Sequence, residues 1–206
     1  MIQFTLDKKG EILIYFIWLC IIFLFIFIIF TTIQFVEYFY CIFVKKQVPL
    51  VASCKKLRRF TVNEIQKHYP DSKNIIELGS GFGGLTRYLA RKTNKKVTGI
   101  ENIAWYAFVS KILDIFCFKK NSTVHGDAFE YLEKTKEHFD IAIAYLGPRA
   151  TQKIPEYKDK IDMFISLDFP VLNLKPTRTI DIGYGATIIG NKKYPHKLYI
   201  YEFKHK

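Results

Sequence analysis

Three glycines alternate in a short segment between a predicted strand and a predicted helix. Gly79, Gly81 and Gly83 follow the apolar run at 74–78. Glycine lets the backbone approach a ligand closely and adopt dihedral angles that other residues disfavour. The helix that follows has free N–H groups at its N-terminus. Because the letters also match the dinucleotide pattern G-x-G-x-x-G through Gly84, the loop alone predicts an adenosine-bearing cofactor without deciding which one.

Three carboxylates near strand ends bear on that choice. Glu77 lies two residues before the first glycine, where its charge would repel a pyrophosphate and attract a sulfonium or an α-amino group. Glu101 ends the second predicted strand, and an acid there accepts hydrogen bonds from ribose hydroxyls. Asp127 follows Gly126 after the third strand, where it could accept a hydrogen bond from an adenine amine or cap the helix from Ala128. Glu101 suits either cofactor, so the preference for a sulfonium over a dinucleotide comes from Glu77. Three acids at the ends of successive strands are unlikely by chance and indicate a ligand site, because that edge is where α/β sheets bind ligands.

These groups are carried by alternating strands and helices, the pattern of an α/β fold. Apolar periodicity and turn residues predict helices at 55–69, 85–92, 103–118 and 128–138, and strands at 74–78, 96–100, 122–125, 139–146 and 163–169. The chain is then expected to close with an antiparallel hairpin formed by 179–189 and 197–203, with Pro195 between its strands. Only nine residues, 170–178, connect the fifth strand to that hairpin.

The loop and the strand ends resemble the motifs of the class I methyltransferases that use S-adenosylmethionine. The segment 75–83 resembles their first motif, 97–101 their second-strand motif, 126–129 their third, and 139–145 the fourth strand, which runs beneath the transferred methyl. The resemblance implies a seven-stranded Rossmann-like sheet with an antiparallel last strand, and S-adenosylmethionine as cofactor. It implies these cofactor-binding residues: Glu77, Gly79, Ser80, Gly81, Gly83, Glu101, Asn102, Gly126, Asp127 and Ala128. The connection at 170–178 is too short for the helix usual there, so we expect a trimmed version of the fold.

A long uncharged segment lies near the N-terminus. Residues 12–36 contain no charged side chain, and as a helix they would extend about 37 Å, enough to cross a bilayer with some tilt. The run is too long for a signal peptide and is not followed by a small-residue cleavage site. A buried helix of a soluble protein is the remaining alternative. Because the uncharged segment is long enough to cross a bilayer, we predict an N-terminal transmembrane helix.

Charge around this segment predicts its orientation. The residues before it hold two lysines and two acids, whereas 45–59 hold six basic residues and no acid. The positive-inside rule then places the N-terminus outside and the larger domain in the cytoplasm or an equivalent reducing compartment.

The four cysteines have neither disulfide nor metal-site spacing, and no metal ligand set is expected. Residues 45–206 hold 29 basic and 16 acidic residues, which also keeps a nucleic-acid partner open.

The layout of the chain resembles one methyltransferase family more closely. A hydrophobic anchor, the proline-containing segment 47–53 and a helix leading into the glycine motif are similar to the membrane-associated protein-lysine methyltransferases, which include the ATP synthase c-subunit lysine methyltransferase. The sequence departs from that family at Ala52, where a second proline is usual, and at 145–148. The resemblance implies a membrane-bound protein acceptor. Because the methyl is expected to point toward the end of the fourth strand, Tyr145 is the candidate for lining the acceptor channel, with an ordinary core aromatic as the alternative, and Pro49 and Ser53 are the candidates for closing over the cofactor.

The sequence thus predicts a membrane anchor at 1–44, a basic linker and helix at 45–70, and an S-adenosylmethionine-binding domain at 71–206. The favoured function is methylation of a lysine in a membrane protein. A methyltransferase of RNA, lipid or a small molecule, and a binding module without turnover, stay open as alternatives. The Asn/Asp-Pro-Pro-aromatic motif of base amino-group methylation is not found in the sequence. Asp140, at the start of the fourth strand, is expected to lie far from the transferred methyl.

Overall fold

The computed structural model of the protein describes residues 8–44, 52–117, 121–189 and 192–203. The chain divides into two compact units, Met1–Pro49 and Leu50–Lys206. The predicted anchor falls within the first unit and the predicted cofactor domain within the second. Pro49, one of the predicted site residues, lies outside the described residues.

The first unit is dominated by one helix. Helix α1 spans Lys8–Phe39 and continues into a π-helical stretch at Tyr40–Val44. Its segment Gly10–Val36 has 27 residues with a mean hydropathy of 3.3, and none of the most apolar window is buried. By length and composition it is able to cross a membrane, although a signal sequence or a buried helix has similar composition. The predicted apolar helix is therefore confirmed, whereas its crossing of a membrane and its orientation stay predictions.

The second unit is a seven-stranded sheet with helices on both faces. The helices are α2 (Lys55–His68), α3 (Gly84–Thr93), α4 (Ala104–Ile115), α5 (Ala128–Lys134) and α6 (Pro148–Thr151), followed by a 3₁₀ turn at Ile154–Tyr157. The strands are β1 (Asn74–Leu78), β2 (Lys96–Glu101), β3 (Asn121–His125), β4 (Phe139–Ala144), β5 (Ile161–Leu167), β6 (Arg178–Ile189) and β7 (Lys192–Glu202).

The strand order is β3-β2-β1-β4-β5-β7-β6. Strands β1 to β5 are parallel, and β7 is antiparallel to both of its neighbours. This confirms the predicted sheet with its antiparallel last strand. The five parallel strands end at one edge, which we call the C-terminal edge, and loops from that edge of an α/β sheet bind ligands.

Alternating side chains of the strands fill two cores, one on each face of the sheet. Ile75 of β1 packs on one face with Leu57 of α2 and Leu89 of α3. Ile76 packs on the other face with Leu132 of α5. Strands covered on both faces are apolar nearly throughout, which is why β1 is recognisable as a continuous apolar run. This packing fixes the positions of the strand ends that carry the polar groups.

The structure corrects several predicted boundaries. Helix α5 ends at Lys134, four residues earlier than predicted, and the chain runs without regular structure into β4. Strand β4 ends at Ala144, and α6 and the 3₁₀ turn that follow it were not predicted. Strand β7 begins at Lys192 and includes Pro195, because register shifts in the hairpin interrupt the regular pairing. The described connection 168–177 contains no helix, which confirms the trimmed version of the fold.

Candidate active site

The glycine loop joins β1 to α3 at the C-terminal edge. Gly79, Gly81 and Gly83 all have positive φ, at 74°, 55° and 68°. The positive φ favours glycine at Gly79, and a Cβ there would lie 2.6 Å from the end of the Leu146 side chain, which would have to shift. The N–H groups of Gly79 and Ser80 donate to the carbonyl of Ile100 in β2, at 2.9 Å each. The loop is thus folded back over the end of the neighbouring strand.

Glu101 connects three of the predicted site segments. Its buried carboxylate accepts hydrogen bonds from the N–H of Gly81 at 2.7 Å and of Ile103 at 2.9 Å. Its backbone carbonyl accepts the N–H of Gly126 at 2.9 Å. The structure therefore brings together the glycine loop, the end of β2 and the end of β3, as the sequence predicts.

Glu77 lies beneath the glycine loop. Its carboxylate is buried and accepts a hydrogen bond from the Thr86 hydroxyl of α3. Burial raises its pKa to about 7, against the opposing effects of the Thr86 hydrogen bonds and of the positive charge of Arg58. The sequence predicts that the Glu77 carboxylate faces a bound cation. In the structure this carboxylate is hydrogen-bonded to α3, and its contact with a cation stays a prediction. A positive charge placed at the loop would favour the ionised form.

The other predicted cofactor residues occupy the same edge with different partners. Asp127 Oδ1 caps α5 by accepting the N–H groups of Phe129 and Glu130, at 2.9 and 3.0 Å. A Cβ built on Gly126 would meet no atom within 4 Å, so there is open space beside the end of β3. Asn102 lies between β2 and α4, and Ala128 is the first residue of α5. The cap is therefore observed, whereas contact with an adenine stays a prediction.

The side chain of Ser80 points into the protein. Its Oγ is buried without a hydrogen-bond partner among the described residues. It packs against Gly99, where an added Cβ would lie 2.8 Å from that oxygen. The side chain thus faces β2, and the position of Ser80 in the loop is held by its backbone hydrogen bond.

Tyr145 belongs to a cluster that the sequence indicated only in part. Its hydroxyl donates to Oδ2 of Asp168 at 2.7 Å, and Nδ1 of His196 lies 2.7 Å from the same oxygen. The other carboxylate oxygen accepts the N–H of Lys197 at 3.0 Å. We call Tyr145, Asp168 and His196 the Asp168 cluster. It lies at the C-terminal edge, where Tyr145 and Asp168 directly follow β4 and β5 and His196 lies within β7.

Two members of the Asp168 cluster were missed because of strand boundaries. Asp168 is the first residue after β5, a position of the same kind as the other strand-end acids, but the predicted strand at 163–169 included it. His196 falls just before the predicted hairpin strand at 197–203, whereas in the structure it lies within β7. Asp168 also has a positive φ of 64°, which is uncommon for a residue with a side chain, although aspartate tolerates it better than most.

Ser53 is held close to the glycine loop through Arg58, which the sequence did not single out. Arg58 Nε donates to Ser53 Oγ at 3.0 Å, and Nη1 of the same guanidinium donates to the carbonyl of Gly84 at 3.3 Å. Helix α2 and the start of α3 are thus connected across the loop. This places a guanidinium, the natural partner of a carboxylate, beside the glycine segment.

The opposite edge of the sheet has a different composition. Asp140 Oδ2 accepts the N–H groups of Lys73 and Asn74, at 2.5 and 2.9 Å, and so anchors the start of β1 to the start of β4. His138 pairs with Asp162 at 3.2 Å nearby, beside a cavity of about 410 Å³. As predicted, Asp140 lies away from the C-terminal edge. This cavity is lined by residues of the strand-start edge and by none of the predicted cofactor residues.

Comparison with solved structures agrees with this architecture. An RNA methyltransferase from Salinibacter ruber, in complex with S-adenosyl-L-homocysteine, matches with a TM-score of 0.59 and 20% identity, over 76% of this chain and 95% of its own. The O-methyltransferase from Bacillus cereus in complex with S-adenosyl-L-homocysteine matches with a TM-score of 0.58 and 14% identity, over 75% and 84%. Precorrin 8W decarboxylase from Methanobacterium thermoautotrophicum matches with a TM-score of 0.53 and 18% identity, over 74% and 92%.

No protein-family model matches the sequence, and no curated protein matches it significantly. The structural similarities, at 20% identity or less, show the fold. The chain therefore has the methyltransferase-like fold that its sequence predicts. Because the same fold is also described for a decarboxylase, the reaction has to be argued from the residues of the site.

Proposed function

We propose that the chain is an S-adenosylmethionine-dependent methyltransferase, anchored in a membrane by its first unit, that methylates a lysine of a membrane protein. The observation that carries the proposal is the position of Glu101. Its carboxylate lies at the end of β2 against the glycine loop and beside the end of β3. Neighbours with this fold were crystallised with S-adenosyl-L-homocysteine, the demethylated form of that cofactor.

The residues at this edge fit the cofactor by their chemistry. Glu101 would accept hydrogen bonds from the ribose hydroxyls, and the open space at Gly126 would take the adenine, with the free oxygen of Asp127 available to its amine. The negative charge of Glu77 and the guanidinium of Arg58 suit an amino acid moiety with both charges. When bound, the cofactor supplies a methyl group already activated by its sulfonium.

The protein's contribution to transfer is then to position the acceptor and to take up its proton. A lysine must be neutral before it attacks, and burial in a channel lowers the pKa of an amine. Tyr145 follows β4, the strand that lies beside β1 in the sheet, and it is therefore the group we expect to line the acceptor channel. Ser53 and Pro49, in the segment before α2, would close over the cofactor.

A lysine acceptor in a membrane is favoured by the arrangement of the chain. A 27-residue apolar helix precedes the domain, and basic residues follow it on the side that the positive-inside rule places in the cytoplasm. The resemblance to the membrane-associated protein-lysine methyltransferases supports the same acceptor.

RNA is the second candidate acceptor, because the chain has a net charge of +12 and one structural neighbour is an RNA methyltransferase. A basic surface attracts any polyanion, including anionic lipid headgroups, so net charge alone does not separate the two.

Transfer of label from S-adenosylmethionine carrying a labelled methyl group tests the proposal. Membranes from cells expressing the full chain should yield labelled protein, and amino acid analysis should find methyl-lysine. Gly81→Val, which cannot adopt the positive φ of the loop, is the inactive control. Label confined to RNA or lipid would overturn the lysine assignment, and absence of any label beyond the Gly81→Val background would overturn methyl transfer.

A further inference from the structure

Helix α4 carries large apolar side chains on its outer surface. Phe108 is 54% exposed, Ile115 69%, and Phe116, which directly follows the helix as its C-cap, 70%. Ile112 is also exposed, and Trp105 is half-buried with its ring 5.5 Å from that of Phe108. We call these five residues the outer face of α4. Their spacing of three, four, three and one residues places them on one stripe of the helix.

The inner face of α4 is small and polar. Its fully buried residues are Ala107 and Ser110, and the Ser110 hydroxyl hydrogen-bonds to Thr123 of β3 at 2.7 Å. Asp114 pairs with Arg87 of α3 at 3.1 Å on the same side. A surface helix of a soluble domain buries its apolar stripe and exposes its polar one. Helix α4 has the reverse arrangement, so its outer face requires an apolar partner.

We propose that the outer face of α4 docks on the surface of a lipid bilayer, with its aromatic side chains in the boundary between headgroups and acyl chains. This inference rests on the membrane anchoring in the proposed function, and it adds a second membrane contact, within the folded domain. Helices that lie in this boundary combine Trp, Phe and aliphatic residues on one face with basic residues beside them.

Two features of the chain favour lipid over a protein partner. Lys111 is exposed beside the apolar stripe, and Lys119 and Lys120 follow the helix in the sequence, so positive charge accompanies the apolar face. The ten residues between Val44 and Lys55 reach at most about 35 Å, which keeps the domain near any bilayer that contains α1. A bilayer surface is then at high effective concentration.

Docking through α4 would orient the site. The helix begins at Ala104, three residues after Glu101, so its first turn lies at the C-terminal edge. With the outer face in the lipid boundary, this edge would lie next to the headgroups. A lysine just outside the acyl region would then be within reach of the cofactor.

Tryptophan fluorescence of the full chain tests the docking. The chain has two tryptophans, so Trp18→Phe leaves Trp105 as the sole emitter. The protein is reconstituted in phosphatidylcholine–phosphatidylglycerol vesicles with or without bromine on the upper acyl chain. We expect bromolipid to remove most of the Trp105 emission and soluble acrylamide to have little effect. Emission that responds to acrylamide and not to bromolipid would overturn the proposal.

A matched pair of variants separates docking from anchoring. Phe108→Asp with Ile115→Asp should abolish quenching by bromolipid and restore quenching by acrylamide, whereas Leu172→Asp, at an exposed apolar residue outside α4, should leave both unchanged. All variants should still float with the vesicles, because α1 is intact; loss of flotation by the parent protein would count against the anchor itself. In nanodiscs that hold one chain, no second copy can contact Trp105. If Trp105 is protected from acrylamide in vesicles and loses that protection in such nanodiscs, the outer face of α4 is a protein interface and the lipid assignment is overturned.

Discussion

At the scale of single residues, Glu77 combines a cost to folding with the proposed role in binding. Its carboxylate is buried beneath the glycine loop, and burial raises its pKa from 4.5 to about 7. Between these pH values the folded chain binds a proton that the unfolded chain has lost, so stability falls as pH rises through this window. The cost is complete above pH 7 and amounts to about 3 kcal/mol. Such a cost is common where a site must hold charge for a ligand.

We therefore predict that Glu77→Gln stabilises the protein at pH 8 by about 1–3 kcal/mol and much less at pH 5, because glutamine has no charge to bury and still accepts the Thr86 hydrogen bond. Urea unfolding at both pH values measures the difference. The same variant should bind S-adenosylmethionine more weakly at pH 8. Equal effects on stability at the two pH values would show that ionisation of Glu77 is not the cause.

Glu101 is predicted to carry the recognition of the cofactor. Glu101→Gln retains the size of the side chain and removes the charge that strengthens hydrogen bonds to ribose hydroxyls, so affinity for S-adenosylhomocysteine should fall about tenfold or more. Isothermal titration calorimetry measures the affinity. Glu137→Gln, an exposed acid paired with Lys96 at the other end of β2, is the control and should bind normally. Binding of NAD by the wild-type chain, without binding of S-adenosylhomocysteine, would refute the cofactor assignment.

At the scale of elements, short-range sequence patterns are sufficient to predict the strands and helices of the first half of the sheet. Strand β1 was predicted to the residue, and α2 to within one, because apolar runs there are bounded by glycine, proline or charged residues. Glycines and acids at the ends of β1, β2 and β3 could be identified for the same reason. Each of these features is visible within a few residues of sequence.

The Asp168 cluster, by contrast, depends on pairing between distant segments. His196 meets Asp168 only because β7 lies antiparallel beside β5, with Leu167 opposite Leu198. No short-range pattern contains that register, and the register shifts in the hairpin obscured the alternation that would have located β7. The sequence of the predicted helix at 103–118 shows the apolar and aromatic side chains of α4. Whether they are exposed depends on which side of the helix packs against the sheet.

Asp168 is predicted to hold the ends of β4 and β5 to the middle of β7. Asp168→Asn keeps the positive φ accessible and weakens the hydrogen bonds with Tyr145 and His196, so stability should fall by about 1–3 kcal/mol. Because Tyr145 of the Asp168 cluster is proposed to line the acceptor channel, methyl transfer should fall while affinity for S-adenosylhomocysteine is retained. Unfolding curves, turnover and calorimetry measure the three quantities. The exposed Asp159→Asn is the control, and an equal loss of cofactor affinity in Asp168→Asn would contradict an acceptor-side role.

At the scale of the whole molecule, charge on the two sides of α1 predicts its topology. Six basic residues lie at 45–59 without an acid, so the N-terminus should face away from the cytoplasm. Epitope tags at each end, followed by protease treatment of sealed vesicles of known orientation, test this prediction. Exchanging Lys45 and Lys46 for glutamate should weaken the orientation. A C-terminal tag on the non-cytoplasmic side would contradict the assignment, and a chain released by carbonate without detergent would exclude the span.

The final prediction is that anchoring selects the substrate. A tethered domain meets acceptors in the same membrane at raised effective concentration and gains nothing toward soluble ones. A variant lacking residues 1–44 should retain affinity for S-adenosylhomocysteine, because the second unit is compact by itself. It should methylate membranes far more slowly than the full chain, and the two forms should be equal on soluble extract. If the truncated form labels a soluble protein as well as the full chain does, and membranes yield no labelled protein, then α1 determines only location and the acceptor is soluble.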